Sequence, residues 1–288
     1  MSINILIPWY VRIVAKLILS QLPFSYSWWS RFGLFRHGAM DDYSYAWKVL
    51  QKHAAELDMK EGWNGLELGP GDGLLSAFLA PVVGASGLTL VDAGDFAHKN
   101  AERYCKQLSQ FRAAFPGALL PDFPAAIDVD VLLDAVGGSY HSLGLQSLRK
   151  LKSDSFDLIY SQAVLEHVRR DEFKATMHEC HRLLRPNGVM SHVIDYKDHL
   201  GGGLNNMRFP VRVWECEWFA SGGGFYTNRL RMSEMISICS DVGFDVEIRS
   251  ARCWETLPIK RDRLAKEFQH FSDDELLVSG AHLVMVSK

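Results

Sequence analysis

The feature that most constrains the fold is a glycine-rich loop between a predicted strand and a predicted helix. The strand is Gly65–Leu68, the loop Gly69–Gly73 reads Gly-Pro-Gly-Asp-Gly, and the helix runs from about Leu74 to Val83. Glycines allow a positive φ and a close approach of the backbone to a ligand. A strand, such a loop and a helix in this order are typical of nucleotide-binding α/β proteins. A tight turn without a ligand is the alternative interpretation.

An acidic residue follows at the distance expected for a nucleotide site. The next strand-like run, Leu88–Val91, leads into Asp92, which lies 19 positions after Gly73. A carboxylate at this place can accept hydrogen bonds from both ribose hydroxyls. The glycine spacing is one residue shorter than the dinucleotide fingerprint, which argues against a nicotinamide cofactor.

Strand-like and helical runs alternate through the rest of the chain, which predicts βαβ units and a parallel sheet. The run at 129–136 fits a helix or a strand equally well. Further strands are predicted at 139–143, 156–161, 189–194, 244–250 and 282–287, and further helices at 96–111, 170–184 and 232–242.

Composition excludes several classes of protein. The 288 residues carry a net charge of −3, and 48% of them are hydrophobic. These values exclude a disordered chain and a strongly basic nucleic-acid binder. The five cysteines include no C-x-x-C pair, which fits a reducing compartment. We therefore expect a cytoplasmic protein with no nucleic-acid partner.

The first 60 residues are predicted to form a helical extension. The run Ile3–Leu22 is apolar, but it contains Arg12 and Lys16, which share one helix face with Ser20. Two cations inside the run disfavour a membrane-spanning helix, and their position also disfavours a signal peptide. Two interpretations remain. The helix packs on its own protein, or residues 1–30 contact a membrane surface peripherally.

Four motifs in order resemble those of class I S-adenosylmethionine-dependent methyltransferases of the type 11 kind. They are Leu66–Gly73 for the first motif, Leu90–Asp92 for the acid after strand two, Ser155–Val168 for strand four, and Leu183–Val189 for the turn into strand five.

This resemblance implies a Rossmann-like fold, with a seven-stranded, mostly parallel sheet and helices on both faces. This chain adds N-terminal helices and an insertion after strand five. We expect a helical extension at 1–60 and a methyltransferase domain at 61–288.

The resemblance implies S-adenosylmethionine as cofactor and S-adenosylhomocysteine as product. Glu67 and the loop backbone would hold the methionine end, and Asp92 the ribose. Leu145 stands where many relatives carry an acid for the adenine, so that contact is assigned to no side chain. Ser161 and Gln162 would line the mouth to which the methyl group points. The cofactor-binding candidates are Glu67, Gly69, Pro70, Gly71, Gly73, Asp92, Ala93, Leu145, Ser161 and Gln162.

Candidate bases follow the strands whose carboxyl ends form the expected ligand edge. The cofactor is already reactive, so the protein mainly aligns the acceptor, and a hydroxyl acceptor also gains from a base. His199 is the first choice, followed by His167 and Asp198, with a structural role as the alternative for each histidine. Asp195, Asp198 and His199 could share a divalent ion, but paired acids are not distinct, so no resident metal is predicted.

The segment 196–231 is predicted to be an acceptor-binding lid. Its aromatic and polar residues suit a sugar or an amphipathic small molecule. Ordinary packing of an added subdomain is the alternative. Arg229 and Arg231 alternate as on a strand and could bind a phosphate or carboxylate. The acceptor-binding candidates are Asp195, Tyr226, Arg229 and Arg231.

The sequence therefore predicts in-line methyl transfer to a small-molecule, sugar or glycan-like acceptor, with oxygen as the expected atom. One alternative is a non-catalytic or partner-dependent cofactor-binding domain at a membrane or in a complex. A nicotinamide oxidoreductase is a remote alternative. The sequence does not determine the acceptor or the oligomeric state.

Overall fold

A computed structural model describes residues 8–11, 13–14, 39–123, 128–220 and 225–288. Within these ranges the strands are β1 Trp63–Leu68, β2 Ala85–Val91, β3 Ser139–His141, β4 Phe156–Gln162, β5 Leu184–Asp195, β6 Phe244–Cys253 and β7 Val278–Ser287. They form one seven-stranded sheet in the order β3-β2-β1-β4-β5-β7-β6.

The sheet is parallel from β3 to β5, and β7 runs antiparallel to both β5 and β6. The fold class expected from the sequence is confirmed. Because β1, β2, β4 and β5 are parallel, their carboxyl ends meet at one edge, where open α/β sheets bind ligands.

The helices follow the predicted order, with shifted ends. They are α1 Tyr43–Ala54, α2 Leu75–Leu79, α3 Ala101–Ala114, α4 Val129–Asp134, α5 Leu145–Lys150, α6 Phe173–Leu183, α7 Val211–Trp214, α8 Glu217–Ala220, α9 Met232–Val242 and α10 Asp273–Leu277. The ambiguous run at 129–136 is helical because Asp128 caps it, and it buries Val129, Leu132 and Leu133.

Helices cover both faces of the sheet. On one face, α1 to α4 bury side chains such as Leu50, Phe78 and Tyr104 against Leu88 and Leu158. On the other face, α5, α6 and α9 pack side chains against the opposite side of the same strands, including Leu148, Met177 and Met235 against Leu66 and Ile159. Full burial of each large apolar side chain contributes about 1.5–3 kcal/mol.

The described start of the N-terminal extension contacts the predicted lid. Residues 9–11, 13 and 14 are helical. Trp9 meets Phe209 edge-on at a ring distance of 6.0 Å, and Ile13 is buried in the same cluster. The cations Arg12 and Lys16, with Ser20, lie outside the described residues.

In the described ranges, no helix combines the length and the apolar character needed to cross a membrane.

The aromatic residues of the insertion pack mostly on one another. They form a cluster that includes Leu200, Trp214, Phe219, Phe225 and Tyr226. Trp218 is an exception, with 56% of its surface exposed. Most of these rings therefore build the insertion's own core, as the packing alternative expects.

Candidate functional site

The glycine loop and Asp92 meet at the carboxyl edge. Gly69 and Gly71 have φ values of +67° and +65°. A Cβ on Gly69 would lie 2.6 Å from the Val164 side chain, which leaves no room for one. The Gly71 amide donates a hydrogen bond of 2.9 Å to Asp92 Oδ2. The loop and the predicted ribose-binding acid are thus in direct contact.

Asp92 also connects this site to the end of β3. The Ala93 amide donates to Asp92 Oδ1 at 2.7 Å. The Gly144 amide donates to the Asp92 carbonyl, also at 2.7 Å. Leu145 begins α5 directly after Gly144. The structure therefore brings Asp92, Ala93 and Leu145 to one place, as the motif alignment predicts.

Glu67 lies beneath the loop and is fully buried. Its carboxyl accepts hydrogen bonds from Tyr160 Oη at 3.0 Å and from Ser76 Oγ. Burial raises the pKa of Glu67 to about 7, because the interior solvates the charged form poorly. The carboxyl thus already has two partners within the chain.

A segment before α1 crosses the same loop. A Cβ on Gly73 would lie 2.2 Å from the Met40 carbonyl oxygen, and the neighbouring Pro70 is also buried. We call residues 39–42 the strap. Asp41 in the strap forms an ion pair with Arg103 of α3. No sequence motif indicated this crossing, because only the tertiary fold brings the two segments together.

Ser161 and Gln162 end β4 and, as neighbours on a strand, point to opposite faces of the sheet. The Ser161 side chain is buried, with its Oγ 2.7 Å from His192 Nδ1. Gln162 is half-buried and faces His53 of α1. The resemblance assigned both residues to the mouth of the site, but the Ser161 side chain points into the interior.

The two candidate histidine bases come together. The rings of His167 and His199 are 4.7 Å apart, and both residues are exposed. His167 Nδ1 lies 2.8 Å from the Tyr226 carbonyl oxygen, so this nitrogen carries the proton. The loops after β4 and β5 thus present an imidazole pair at the carboxyl edge.

The third candidate base, Asp198, is buried and organises its own loop. Its carboxylate accepts hydrogen bonds from the backbone amides of Leu200 at 2.9 Å and Gly202 at 3.0 Å, and from the Asn205 side chain at 3.1 Å. These bonds favour a structural role over that of a base, because the carboxylate oxygens are already engaged.

Arg229 and Arg231 are buried rather than directed at an open acceptor site. Arg229 donates to the Phe209 carbonyl at 2.7 Å and lies 3.4 Å from a Glu215 oxygen. Arg231 donates to the Glu275 carbonyl at 2.7 Å. Burial lowers the pKa of each guanidinium to about 10. These bonds fasten the insertion to the body, and an acceptor-binding role for the two arginines stays a prediction.

The other two acceptor-binding candidates lie beside these arginines. Tyr226 Oη donates to Glu215 at 2.6 Å, and burial raises the pKa of its phenol. Asp195 ends β5, and its carboxylate is 3.4 Å from Lys197 Nζ. Asp195, Arg229 and Arg231 line one small cavity, so only Tyr226 of the four candidates lies outside it.

Glu166 lines that cavity and was missed in the sequence. It is fully buried, and burial raises its pKa to about 8. Its Oε2 has no hydrogen-bond partner in the described part of the chain. One feature of the sequence could have pointed to Glu166. It is a carboxylate in the mostly apolar run Ala163–Val168, and acids are rarely buried.

Among the described residues, no three His, Cys, Asp or Glu side chains come close enough to hold a metal ion. The donor set does fit S-adenosylmethionine. The Gly71 amide and the Asp92 carboxylate lie together at the carboxyl edge, where an acid after the second strand would hold ribose hydroxyls.

Comparison with known proteins agrees with this site. A family model described as a methyltransferase domain matches residues 66–191, which include the loop, Asp92, β4 and most of β5. No curated protein sequence matches the chain.

Several solved structures are similar at low identity. An S-adenosylmethionine-dependent methyltransferase from Mesorhizobium loti is 19% identical, with 83% of this chain and 96% of that chain covered and a TM-score of 0.41. The YcgJ protein from Bacillus subtilis is 15% identical, with 84% and 98% covered and a TM-score of 0.45.

The matched domain, the strand order and the joined glycine loop and Asp92 lead to one conclusion. Residues 66–191 match a methyltransferase domain, and the seven strands of the sheet stand in the order known for class I S-adenosylmethionine-dependent methyltransferases.

Proposed function

We propose that this protein transfers a methyl group from S-adenosylmethionine to an oxygen of a small-molecule, sugar or glycan-like acceptor. The observation that carries the methyl-transfer part is the bond between Gly71 and Asp92, which joins the two cofactor motifs at the carboxyl edge. When bound, the cofactor supplies a methyl group already activated by a positively charged sulfur. The work left to the chain is alignment and proton removal.

The way the insertion closes supports a small acceptor. The Asn228 amide donates to the Glu166 carbonyl at 2.7 Å, and the Asn228 side chain donates to the Leu165 carbonyl at 2.8 Å. These bonds fix the end of the insertion across the loop after β4. An insertion held this close to the loop after β4 suits a molecule that enters a cleft better than a segment of a large polymer.

The imidazole pair supports an oxygen acceptor. His167 and His199 lie at the same edge and are exposed to an incoming molecule. Neutral imidazoles can hydrogen-bond a hydroxyl group and are candidates to take its proton. His199 stays the first candidate of the two, on the loop after β5 at the carboxyl edge.

The test is transfer of label from methyl-labelled S-adenosylmethionine into an extract of the source cells, followed by solvent partition. We expect labelled aqueous saccharide or small-molecule material, and no label with the Asp92→Ala variant. Label in nucleic acid or protein would contradict the acceptor class. Binding of S-adenosylhomocysteine without any labelled product would favour the non-catalytic alternative.

Peripheral membrane contact remains a second proposal, tied to residues 1–30. Tyr10, Val11 and Val14 expose 56%, 43% and 55% of their surfaces, while Trp9 and Ile13 face the insertion. Exposed aromatic and aliphatic side chains on a helix suit a lipid interface. Flotation of the full chain with anionic vesicles, and none for a chain lacking residues 1–30, is the expected result. Equal behaviour of the two proteins would contradict this contact.

A further inference from the structure

The small cavity beside Glu166 lies between the insertion and the body, at the carboxyl edge of the sheet. Glu166, in the loop after β4, and residues 195–197, at the end of β5, form one side of it. Residues 206–207 and 227–231 of the insertion form the other side. The cavity gives about 10 Å³ to the centre of a water-sized molecule, which is room for one oxygen with its protons.

Polar atoms without partners are concentrated around this cavity. Six buried side-chain atoms have no hydrogen-bond partner within the described ranges, and four of them belong to residues that line it. Two are acceptors, Glu166 Oε2 and Asn206 Oδ1, and two are donors, Arg229 Nε and Arg231 Nε. Each of these residues exposes at most 3% of its surface. Because buried polar atoms are normally paired, the four together indicate a group that the chain itself does not supply.

Two of these side chains carry opposite charges, and neutral groups hold both of them. The Glu166 carboxyl accepts a hydrogen bond from the Asp195 amide at 3.3 Å. Arg231 donates to the carbonyls of Glu275, at 2.7 Å, and Tyr196, at 3.3 Å. A single oxygen in the cavity could accept from the guanidinium and donate to the carboxylate. It would thereby join the two buried charges through one bridging group.

The cavity lies close to the surface. Asp195 and Lys197 form part of its wall, and 24% and 37% of their side chains are exposed. Exposed side chains change rotamer within nanoseconds. This wall therefore gives a small polar group a way in from the carboxyl edge.

We propose that this cavity is a binding site for one hydroxyl-type oxygen, which accepts hydrogen bonds from Arg229 and Arg231 and donates to Glu166 or Asn206. A water molecule matches all four atoms, because it accepts two bonds and donates two. A hydroxyl group of the methyl acceptor matches three, because it has one proton. A cation would satisfy only the two acceptors, and an anion only the two donors.

The two sources of this oxygen differ in consequence. A bound water would bridge the insertion to the body, and this case is independent of the methyl transfer proposed above. A hydroxyl of the acceptor would make Glu166 and Asn206 specificity residues, which select a molecule with a second hydroxyl near the reacting one. This second case rests on the proposed function.

The first experiment is a crystal structure of the wild-type protein without an acceptor, at a resolution that shows ordered water. We expect one oxygen at about 2.7–3.2 Å from Glu166 Oε2 and from at least two of the other three atoms. Direct bonds among the four side chains, or a cavity without density, would overturn the proposal. The measurement uses no methyl transfer, so its failure is distinguishable from failure of the proposed function.

The second experiment is the unfolding temperature of Glu166→Gln at pH 7. Burial raises the pKa of Glu166 to about 8, so in a dry cavity the carboxyl is a cost that Gln would relieve. With a bound oxygen that donates to the carboxylate, Gln instead loses a charge-assisted bond. We therefore expect a decrease of about 3–6 °C. An increase, or no change, would overturn the proposal.

The matched control is Glu172→Gln, at an exposed residue before α6 whose side chain makes no capping bond. It should unfold at the wild-type temperature. If Glu166→Gln does not fold, the wild-type crystal structure decides the question.

The source of the oxygen follows from label transfer by Glu166→Gln into the extract fraction that the wild type labels. A loss of about 10- to 100-fold in kcat/KM, with normal S-adenosylhomocysteine affinity, assigns the oxygen to the acceptor. A lower unfolding temperature with wild-type kcat/KM assigns it to water. Both results support the site, and wild-type values of both quantities would overturn it.

Discussion

At the residue scale, two carboxylates near the loop differ in environment. Glu67 is enclosed by the sheet and α2, whereas the Asp92 carboxylate bonds backbone amides at the edge. Burial therefore couples the protonation of Glu67 to the stability of the fold, whereas Asp92 is placed to bind a ligand. Sequence position alone predicted both as cofactor residues.

Asp92 is expected to govern cofactor affinity. Asp92→Asn should weaken S-adenosylhomocysteine binding by about 10- to 100-fold, because hydrogen bonds to a charged group contribute about 1.5–3 kcal/mol. Titration calorimetry measures this directly. Asp95→Asn, at an exposed carboxylate paired with Lys99 at 2.9 Å, is the matched control and should bind normally. Equal affinity in both variants would contradict ribose binding by Asp92.

Glu67 is expected to make stability depend on pH. Its folded pKa, about 7, lies above the ordinary 4.5, so the folded state holds a proton that the unfolded chain releases. The contribution of Glu67 to the free energy of unfolding therefore falls as pH rises from 4.5 to 7 and is constant above that. Because Gln does not titrate, the free energy of unfolding of Glu67→Gln should rise by about 3 kcal/mol relative to that of the wild type between these two pH values, as measured by urea unfolding.

The control for this series is Glu61→Gln, at an exposed position, which should track the wild type at every pH. A stability difference between Glu67→Gln and the wild type that does not change with pH would contradict the assignment.

At the scale of elements, the strap and the glycine loop are in contact at the backbone. The Met40 carbonyl occupies the space that a side chain on residue 73 would need. Asp41 then ties the strap to Arg103 of α3, and His98 is 3.9 Å away. The start of α1 is thus fixed to the cofactor loop, although 31 positions separate Gly73 from Asp42, the residue that caps α1.

Gly73→Ala is expected to displace the strap, since the new methyl group would meet backbone atoms. Overpacking of this kind costs about 1–3 kcal/mol. Thermal unfolding and cofactor affinity should both decline. Gly117→Ala, where nothing lies within 4 Å of the added carbon, is the control. Unchanged stability of Gly73→Ala would show that the strap moves away at no cost.

At the scale of the whole molecule, the insertion and the body are joined by buried guanidinium groups. Arg231 donates to the carbonyls of Tyr196, Glu275 and Val278, which links the end of the insertion to its own first residue, to α10 and to β7. The Arg231 guanidinium also lies over the Tyr196 ring, with 5.1 Å between its central carbon and the ring centre.

Arg231→Met is expected to destabilise the fold by about 2–4 kcal/mol, because several buried carbonyls lose their donor. Arg263→Met, at an exposed residue, is the control and should change stability by less than about 0.5 kcal/mol. Urea unfolding of the two variants and the wild type measures both changes in the free energy of unfolding. Wild-type stability of Arg231→Met, with altered acceptor affinity, would return Arg231 to the binding role predicted from the sequence.

The sequence by itself determined the elements and the cofactor edge. The glycine loop, Asp92 and the alternation of strands and helices are local patterns, so they can be read without knowing which segments meet. The seven predicted strands are all present, and the loop contacts Asp92. Local periodicity could not decide residues 129–136, because a helix and a buried strand share that pattern.

Only the tertiary structure decided which polar residues are free to act. Arg229 and Arg231 alternate like ligand-binding residues, yet distant carbonyls hold them in the interior. His53 lies in an ordinary helical stretch, and only the packing of α1 on β5 and β7 connects it to Ser191 and His282. The reason is physical. Burial and hydrogen-bond partners are set by contacts between segments far apart in sequence, so no local pattern contains them.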